Sequence, residues 1–513
     1  MLKKFFSKYI GFILLAGTLF IGLISYKDYG IAWDEPLQRE MGLVSYNYVF
    51  HGDDSLKHYS CNVYGVAFEL PLVMIEKALD LKDSRDIFLM RHLVSHLFFL
   101  LGAFAFFLLI DYLYSNKLLA IIGFLLLVVN PLIYGHSFFN SKDIPFLSMF
   151  IICFLAIAIA FKKNNLKWYV ILAIACALLT NIRIMGILFI GVVWVFFALD
   201  YIAAKQDKDI KKEIIHYLLV FTGTSFFTLF ITWPYLYSNP GRNFMYAFRW
   251  MANAPWTGNT LFFGTTYKST QIPLDYSIIW FCISNPVTYL LLGVVGIIYF
   301  SWRFIKTPKS FLFDKGLRNQ LLFLFCFTQP LIVILVFHSV LFDTWRHLYF
   351  IYPPFILLGI FGLSCLLKTK ARLVVPFILI AGIGYTGYYM FSSFPYEHIY
   401  FNEFVKRYSP EYLRKNFELD YWGVSYKQAF EYILKNDTAQ TINVTVMGPL
   451  SKENALLLKP EERKRIHFTD TLAKATYVAS FYRNHPEDYP FQNQQVFNIK
   501  VLNSTIMSVF KLK

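Results

Sequence analysis

Long apolar runs separated by short polar turns fill the first 392 residues of the chain. They lie at 9–26, 88–110, 118–134, 146–161, 168–182, 184–200, 214–232, 286–302, 320–341, 347–367 and 373–391. Each is long enough, or nearly so, to cross a hydrocarbon layer of about 30 Å. The pattern predicts an all-α polytopic membrane domain over 1–392 with about eleven transmembrane helices. Segment 273–285 reads as a partial span or a surface helix. The first run has the basic start and apolar middle of a signal peptide. However, "FIGLISYKDYG" has no clear small-x-small cleavage site and the run exceeds a usual signal core, so it is read as a true helix. Beyond 392 the pattern changes. Charged residues rise, and "TINVTVMG", "ATYVASFY" and "QVFNIKVLNSTIMSVFKL" read as short strands, predicting a small C-terminal α/β domain over 393–513. Asn503-Ser504 is the expected hairpin closure, and "DTLAKA" a short helix feeding a strand.

Composition agrees. Hydrophobic residues form 57% of the chain and charged residues 16%, more apolar surface than a soluble protein can bury. The net charge of +15 raises the question of nucleic acid, but the basic residues are gathered in particular loops. With "MLKKFFSK" cytoplasmic, inner loops carry Lys162, Lys163 and Lys167, then Lys205, Lys208, Lys211 and Lys212, then Arg303 to Arg318, then Lys368, Lys370 and Arg372. This is the positive-inside arrangement of a multi-pass protein of the plasma (inner) membrane, and it removes the case for nucleic acid. The long first loop, 27–87, then lies outside and is acid-rich. Eleven spans also put the C-terminal domain outside. Six cysteines without paired spacing give neither a disulfide framework nor a zinc site. No Gly-rich nucleotide loop is present.

Three outer turns concentrate polar groups where helices end. The first, "YGIAWDEPLQRE", sets Asp34 and Glu35 before Pro36, where either acid can be the N-cap of a surface helix. The second, "YGHSFFNSKDIPF", holds His136, Asn140, Lys142 and Asp143; capping explains Asp143 but not the density around it. The third, "FDTWRHLYF", holds Asp343, Arg346 and His347, and a single arginine there can simply snorkel to headgroups. Acids and bases together at one face suit a substrate with a phosphate at headgroup level and a reacting group just outside it. Arg346, helped by Lys142, His347 or His136, suits the phosphate, and a carboxylate suits the proton of an incoming nucleophile.

At these residues the chain resembles the polytopic glycosyltransferases of the C-type fold that use polyprenyl-phosphate-linked sugars. That superfamily contains the protein O-mannosyltransferase-like family 39 and the aminoarabinose transferases. The resemblance rests on "DE" in the first outer loop, the acid of "NSKD" in the second, "FDTWRHLYFIYPP" and the later "ELDYWG". It implies transfer of a sugar from a polyprenyl-phosphate donor to a glycan, lipid or protein acceptor on the outer face, usually with inversion. Carried over, Asp34 is the general base, Glu35 a supporting acid for the acceptor or the loop, and Asp143 the second-loop acid that positions acceptor or donor. The second loop lacks the "HPP" neighbourhood of the eukaryotic mannosyltransferases, which weakens protein O-mannosylation as the activity. Relatives differ in metal use, so a divalent ion held by Asp34, Glu35 and Asp143 stays open.

Arg183, at an outer helix end, is a further phosphate contact or a buried structural partner. Trp33, Trp233, Trp256 and Tyr267 are candidates for stacking on sugars or for interfacial anchoring. The segment 233–275 reads as a cover over the site or a helix in the headgroups. A lipid or glycolipid transporter is the competing class. Transporters place ionisable groups near the midplane and show internal repeats, whereas these charges cluster at outer helix ends.

Overall fold

The computed structural model describes residues 2–252, 258–339, 341–448, 451–483 and 485–513. Eight of its helices are long and apolar enough to cross a membrane, and Lys117–Val128 with Pro131–Phe139, bent by 63°, is either a broken span or a re-entrant loop. The shorter apolar helices Tyr9–Ser25 and Leu166–Ile182 account for the two remaining apolar runs. The bend has a local cause. Pro131 begins a new helix, Asn130 accepts from the Ile133 amide, and its side-chain amide donates to Asn285. Segment 273–285 contains only the eight-residue helix Tyr276–Ile283.

The spans differ in how far protein encloses them, and this decides where rigid groups can stand. Asp143–Lys163 and Arg346–Leu366 have 83% and 89% of their apolar windows buried, against 17% for Val375–Ser393. The two helices that begin with Asp143 and Arg346 are thus the most enclosed of the eight long apolar spans. Close approach of Val287–Lys306 to Arg346–Leu366 depends on glycine: a Cβ on Gly296 would stand 2.1 Å from the Leu358 carbonyl oxygen.

The first loop is itself helical, with Asp34–His51 and Glu69–Ala78 packed together. A buried ion pair and a hydrogen bond hold it down, and a second, part-exposed pair ties its two helices together. Glu69 accepts from Arg91 and from Ser141 Oγ at 2.6 Å, and Arg39 meets Glu76 at 2.7 Å. The loop is therefore fixed both to the span Ser84–Tyr114 and to the second polar turn.

Strands β1 (Asn259–Phe262) and β2 (Thr265–Lys268) form an antiparallel hairpin in the 233–275 segment, after the amphipathic helix Pro240–Ala252. The C-terminal sheet contains β3 (Ile442–Met447), β4 (Ile466–Phe468), β5 (Tyr477–Ser480), β6 (Gln495–Val501) and β7 (Ser504–Lys511) in the order β4-β3-β5-β7-β6. The expected α/β unit is present, with the three-residue β4 added, and "DTLAKA" supplies the single turn Leu472–Lys474. The closing turn lies one residue earlier than expected. Leu502 and Asn503 are its central residues, with φ of 51° and 62°, the pair of positive angles a twisted two-residue hairpin needs.

This sheet unit docks onto the first loop. Asn454 accepts from the Ile31 amide at 2.9 Å and donates to the Ile31 carbonyl at 3.0 Å. Gly30 lies against the Val424 carbonyl, 2.1 Å from where its Cβ would be. The stretch just before Trp33 and Asp34 is thereby positioned from both sides.

Candidate functional site

The first polar turn divides its two acids between two tasks. Successive residues on a helix point about 100° apart, so Asp34 and Glu35 cannot share one direction. Glu35 turns inward, accepts from the Ala32 amide at 2.9 Å, and stands 3.1 Å from His92 Nε2. It is the acid that finishes the helix start. Asp34 makes no cap and keeps 40% of its side chain exposed, with its carboxylate 3.1 Å from Arg346 Nη1.

In the second turn Asn140 takes the capping role, accepting from the Lys142 and Asp143 amides at 3.3 and 2.9 Å. Asp143 is released from that duty. Its Oδ2 accepts from Asn140 Nδ2 at 2.9 Å and stands 3.7 Å from Arg346 Nη1, while Oδ1 pairs with Arg183. Arg183 is itself the one extended residue between helix Leu166–Ile182 and the turn Ile184–Gly186. Lys142 places its ammonium 3.5 Å from the centroid of the Tyr64 ring.

The third turn is strained. Asp343 and Thr344 both have positive φ, 55° and 67°, and for β-branched Thr344 that conformation is costly. Ties at both ends maintain it. The Thr344 amide donates to Tyr276 Oη at 2.9 Å, and Asp343 bridges Arg346 at 3.2 Å and Arg483 at 2.7 Å. Arg483 comes from the C-terminal unit. It also donates to the Tyr421 carbonyl at 2.6 Å, lies 3.7 Å from Glu418, and covers the Trp33 ring at 4.2 Å. "ELDYWG" supplies three more parts: Glu418 beside Arg483, Asp420 accepting from the amides of Gly423 to Ser425, and Trp422 under the Arg346 guanidinium at 4.6 Å.

A continuous chain of alternating charge results: Glu418, Arg483, Asp343, Arg346, then Asp34 and Asp143, then Arg183. Asp34, Asp143, Arg346, Arg183 and Lys142 meet in one place. The other predicted residues differ. His136 is fully buried beneath them, its Nε2 accepting from Trp422 Nε1 at 3.1 Å, so it supports the Trp422 platform rather than reaching a ligand. His347 follows Arg346 and packs edge-on against Phe342. Among the described residues, Arg346 Nε, Arg183 Nε and His347 Nδ1 are buried polar atoms with no hydrogen-bond partner. Trp233 is core, 1% exposed, while Trp33 lies under Arg483. Tyr267 sits in β2, and Trp256 lies outside the described residues.

Charge and burial act on one another here. Burial, then the neighbouring Arg183, brings the Lys142 ammonium down to about 7. Burial likewise brings Arg183 down to about 10, with Arg346 adding to the effect. Burial pushes Glu418 up to about 7 in spite of Arg483. Among the described residues no three His, Cys, Asp or Glu side chains come together as a metal-binding group. Asp34 and Asp143 face guanidinium groups and Glu35 faces His92, so this donor set does not fit a divalent ion.

Comparison with solved structures bears on the architecture. The oligosaccharyltransferase of Archaeoglobus fulgidus in its apo form superposes with a TM-score of 0.52 at 10% identity, over 92% of this chain and 66% of that one. The chain has that fold. The same archaeal enzyme tethered to an acceptor peptide containing the NVT sequon gives 0.50 at 12% identity, over 92% and 65% of the two chains. ArnT from Cupriavidus metallidurans bound to undecaprenyl phosphate gives 0.49 at 11% identity, over 98% of both chains. The chain spans about two thirds of the archaeal enzyme's length. No protein-family model matches the sequence, and a comparison with curated proteins gives no match. The expected helical membrane part and terminal sheet unit are both observed, and the fold is that of the archaeal enzyme.

Proposed function

We propose that the protein is an integral-membrane glycosyltransferase that takes a sugar from a polyprenyl-phosphate donor and passes it to an acceptor on the outer face of the inner membrane. One observation carries the reading. Arg346 joins the part-exposed carboxylate of Asp34 to the buried carboxylate of Asp143, with Arg183 and Lys142 beside them, at the start of two enclosed spans. The shared fold supports it. So does the charge pattern: the helix beginning at Asp143 ends with Lys162 and Lys163, and the one beginning at Arg346 is followed by Lys368, so the positive-inside rule supports an outer site.

The chemistry follows from the parts. A phosphodiester donor brings one negative charge to a cluster whose three aspartates are already matched by three arginines. Protonated Lys142 supplies the additional positive charge. The phosphate competes with Asp34 for Arg346 Nη1, and this frees the Asp34 carboxylate at the solvent side. Asp34 then accepts the proton of the acceptor group as its oxygen or nitrogen attacks the anomeric carbon. The bond from that carbon to the phosphate oxygen breaks on the opposite face. The electron pair leaves with polyprenyl phosphate, whose growing charge Arg346, Arg183 and Lys142 hold. Glu35, His136 and Trp422 act by holding the helix start and the guanidinium in place.

The direct test follows phosphorus in proteoliposomes. With polyprenyl-phosphate sugars from the source membranes and an envelope extract as acceptor, the 31P spectrum should convert from phosphodiester to phosphomonoester only when protein is present. A donor pool left intact with every extract fraction overturns the proposal.

A further inference from the structure

Between the first loop and the amphipathic helix Pro240–Ala252 lies an open cavity of about 450 Å³. One wall comes from the stretch Leu56–Val63 with Tyr48, the other from Pro234, Tyr235, Ser238, Asn243, Tyr246 and Trp250. Its size falls within the range of about 300–1,000 Å³ usual for small-ligand sites. Tyr64, next to the lining residue Val63, links it to the charged cluster. That ring meets Trp250 edge-on at 5.3 Å and carries the Lys142 ammonium at 3.5 Å. A single aromatic residue thus connects the cavity to the centre where Asp34 stands.

The lining identifies the chemistry of the occupant. Tyr48, Tyr59, Tyr235, Tyr246 and Trp250 provide aromatic surface, while Asn62, Asn243 and Ser238 provide amides and a hydroxyl, with Lys57 and His58 at the edge. Asn62 Nδ2 already donates to the Leu56 and Lys57 carbonyls, and Asn243 Nδ2 to the Tyr235 carbonyl and Ser238 Oγ, but the exposed lining is mostly polar and does not match a prenyl or acyl chain. A phosphate has its cations on the other side of Tyr64, and Lys57 is already paired with Asp54 at 2.7 Å. A peptide that binds by strand addition needs a free sheet edge, but helices and turns make these walls, and hairpin β1-β2 is not among them. A carbohydrate satisfies both parts of the lining, with its C–H faces on the rings and its hydroxyls on the amides.

We propose that this cavity is the acceptor site and that the acceptor is a short neutral oligosaccharide segment. The inference rests on the glycosyltransferase reading, since it names that reaction's second substrate. Bound there, the saccharide lies against Tyr64 and directs one hydroxyl past it toward Asp34. Tyr246, 55% exposed, and Trp250 belong to the cavity and not to the charged cluster, so replacing them leaves the donor's ligands untouched.

The test is saturation-transfer NMR on the full-length protein in micelles, with di- to tetrasaccharides released by mild acid from the source organism's envelope. Ring protons of one fraction should receive saturation. Trp250→Ala and Tyr246→Ala should each weaken that binding by about tenfold. Both variants should bind polyprenyl phosphate as the wild type does. Absence of transfer to any fraction, or binding unchanged in both variants, overturns the proposal. So does a hexapeptide containing Asn-Val-Thr that binds in its place and is lost with Trp250. Donor conversion in the 31P assay combined with any of these results would reject the saccharide site and leave the glycosyltransferase reading standing.

Discussion

Arg346 Nη1 stands 3.1 Å from Asp34 Oδ2 across a sequence separation of 312 residues. This contact turns two isolated polar turns into one site, and the consequences of altering it differ by substitution. Arg346→Ala leaves Asp34, Asp143 and Asp343 facing one another and should cost about 3–5 kcal/mol of stability. Arg346→Lys keeps the charge but loses the fork, so it should fold and bind polyprenyl phosphate about tenfold more weakly. Thermal unfolding in detergent and equilibrium lipid binding separate the two.

Lys142 gives the site a pH dependence. Its folded value is lowered to about 7, and a bound phosphate anion favours the protonated form. Donor affinity should therefore be complete below that value and fall as pH rises through it, by up to about tenfold per unit. The unfolded lysine keeps its proton to about 10.4, so stability should increase with pH between those limits. Lys142→Arg should abolish the alkaline loss of affinity. Donor binding measured from pH 6 to 9 checks it.

Arg483 brings the C-terminal unit into the site through Asp343, Glu418 and the Trp33 ring. Arg483→Gln and Asp343→Asn should each lower the unfolding temperature. The double variant should be less damaged than their sum, with a coupling of about 0.5–3 kcal/mol. A full thermal double-mutant cycle measures that coupling, and additivity would contradict the link.

Glu35 and Asp34 should separate on mutation although they are neighbours. Glu35→Gln weakens the hold on the Ala32 amide and His92 and should cost about 1–2 kcal/mol of stability. The turnover of the folded fraction should stay within about threefold of wild type, because no reacting atom meets Glu35. Rates normalised to folded protein decide this.

These residues also show what the sequence made legible. Every apolar run lies mainly in helix because length and composition fix such elements, although 118–134 breaks at Asn130 and only eight helices, or nine with that bent pair, reach spanning length among the described residues. The three polar turns could be recognised as related because each interrupts apolar runs on one predicted side. The division of labour within "DE" was partly readable, since neighbours on a helix face different directions, but which acid turns inward depends on His92, 57 residues away. Arg483 carried no signal. It follows an ordinary strand, and its partner Asp343 lies 140 residues earlier, joined only by docking of the sheet unit on the first loop. Trp250 was equally silent, because an aromatic on an amphipathic helix reads as a membrane anchor until the opposite wall is seen.

The role of Asp34 is tested most directly by single-turnover sugar transfer with Asp34→Asn, alongside polyprenyl-phosphate binding by the same sample. Transfer should fall by about 10²–10⁴-fold, the contribution of a positioned base, while lipid affinity stays at or above that of wild type, because a neutral amide competes less with phosphate for Arg346. Transfer within a few-fold of wild type, at unchanged lipid affinity, would contradict Asp34 as the base.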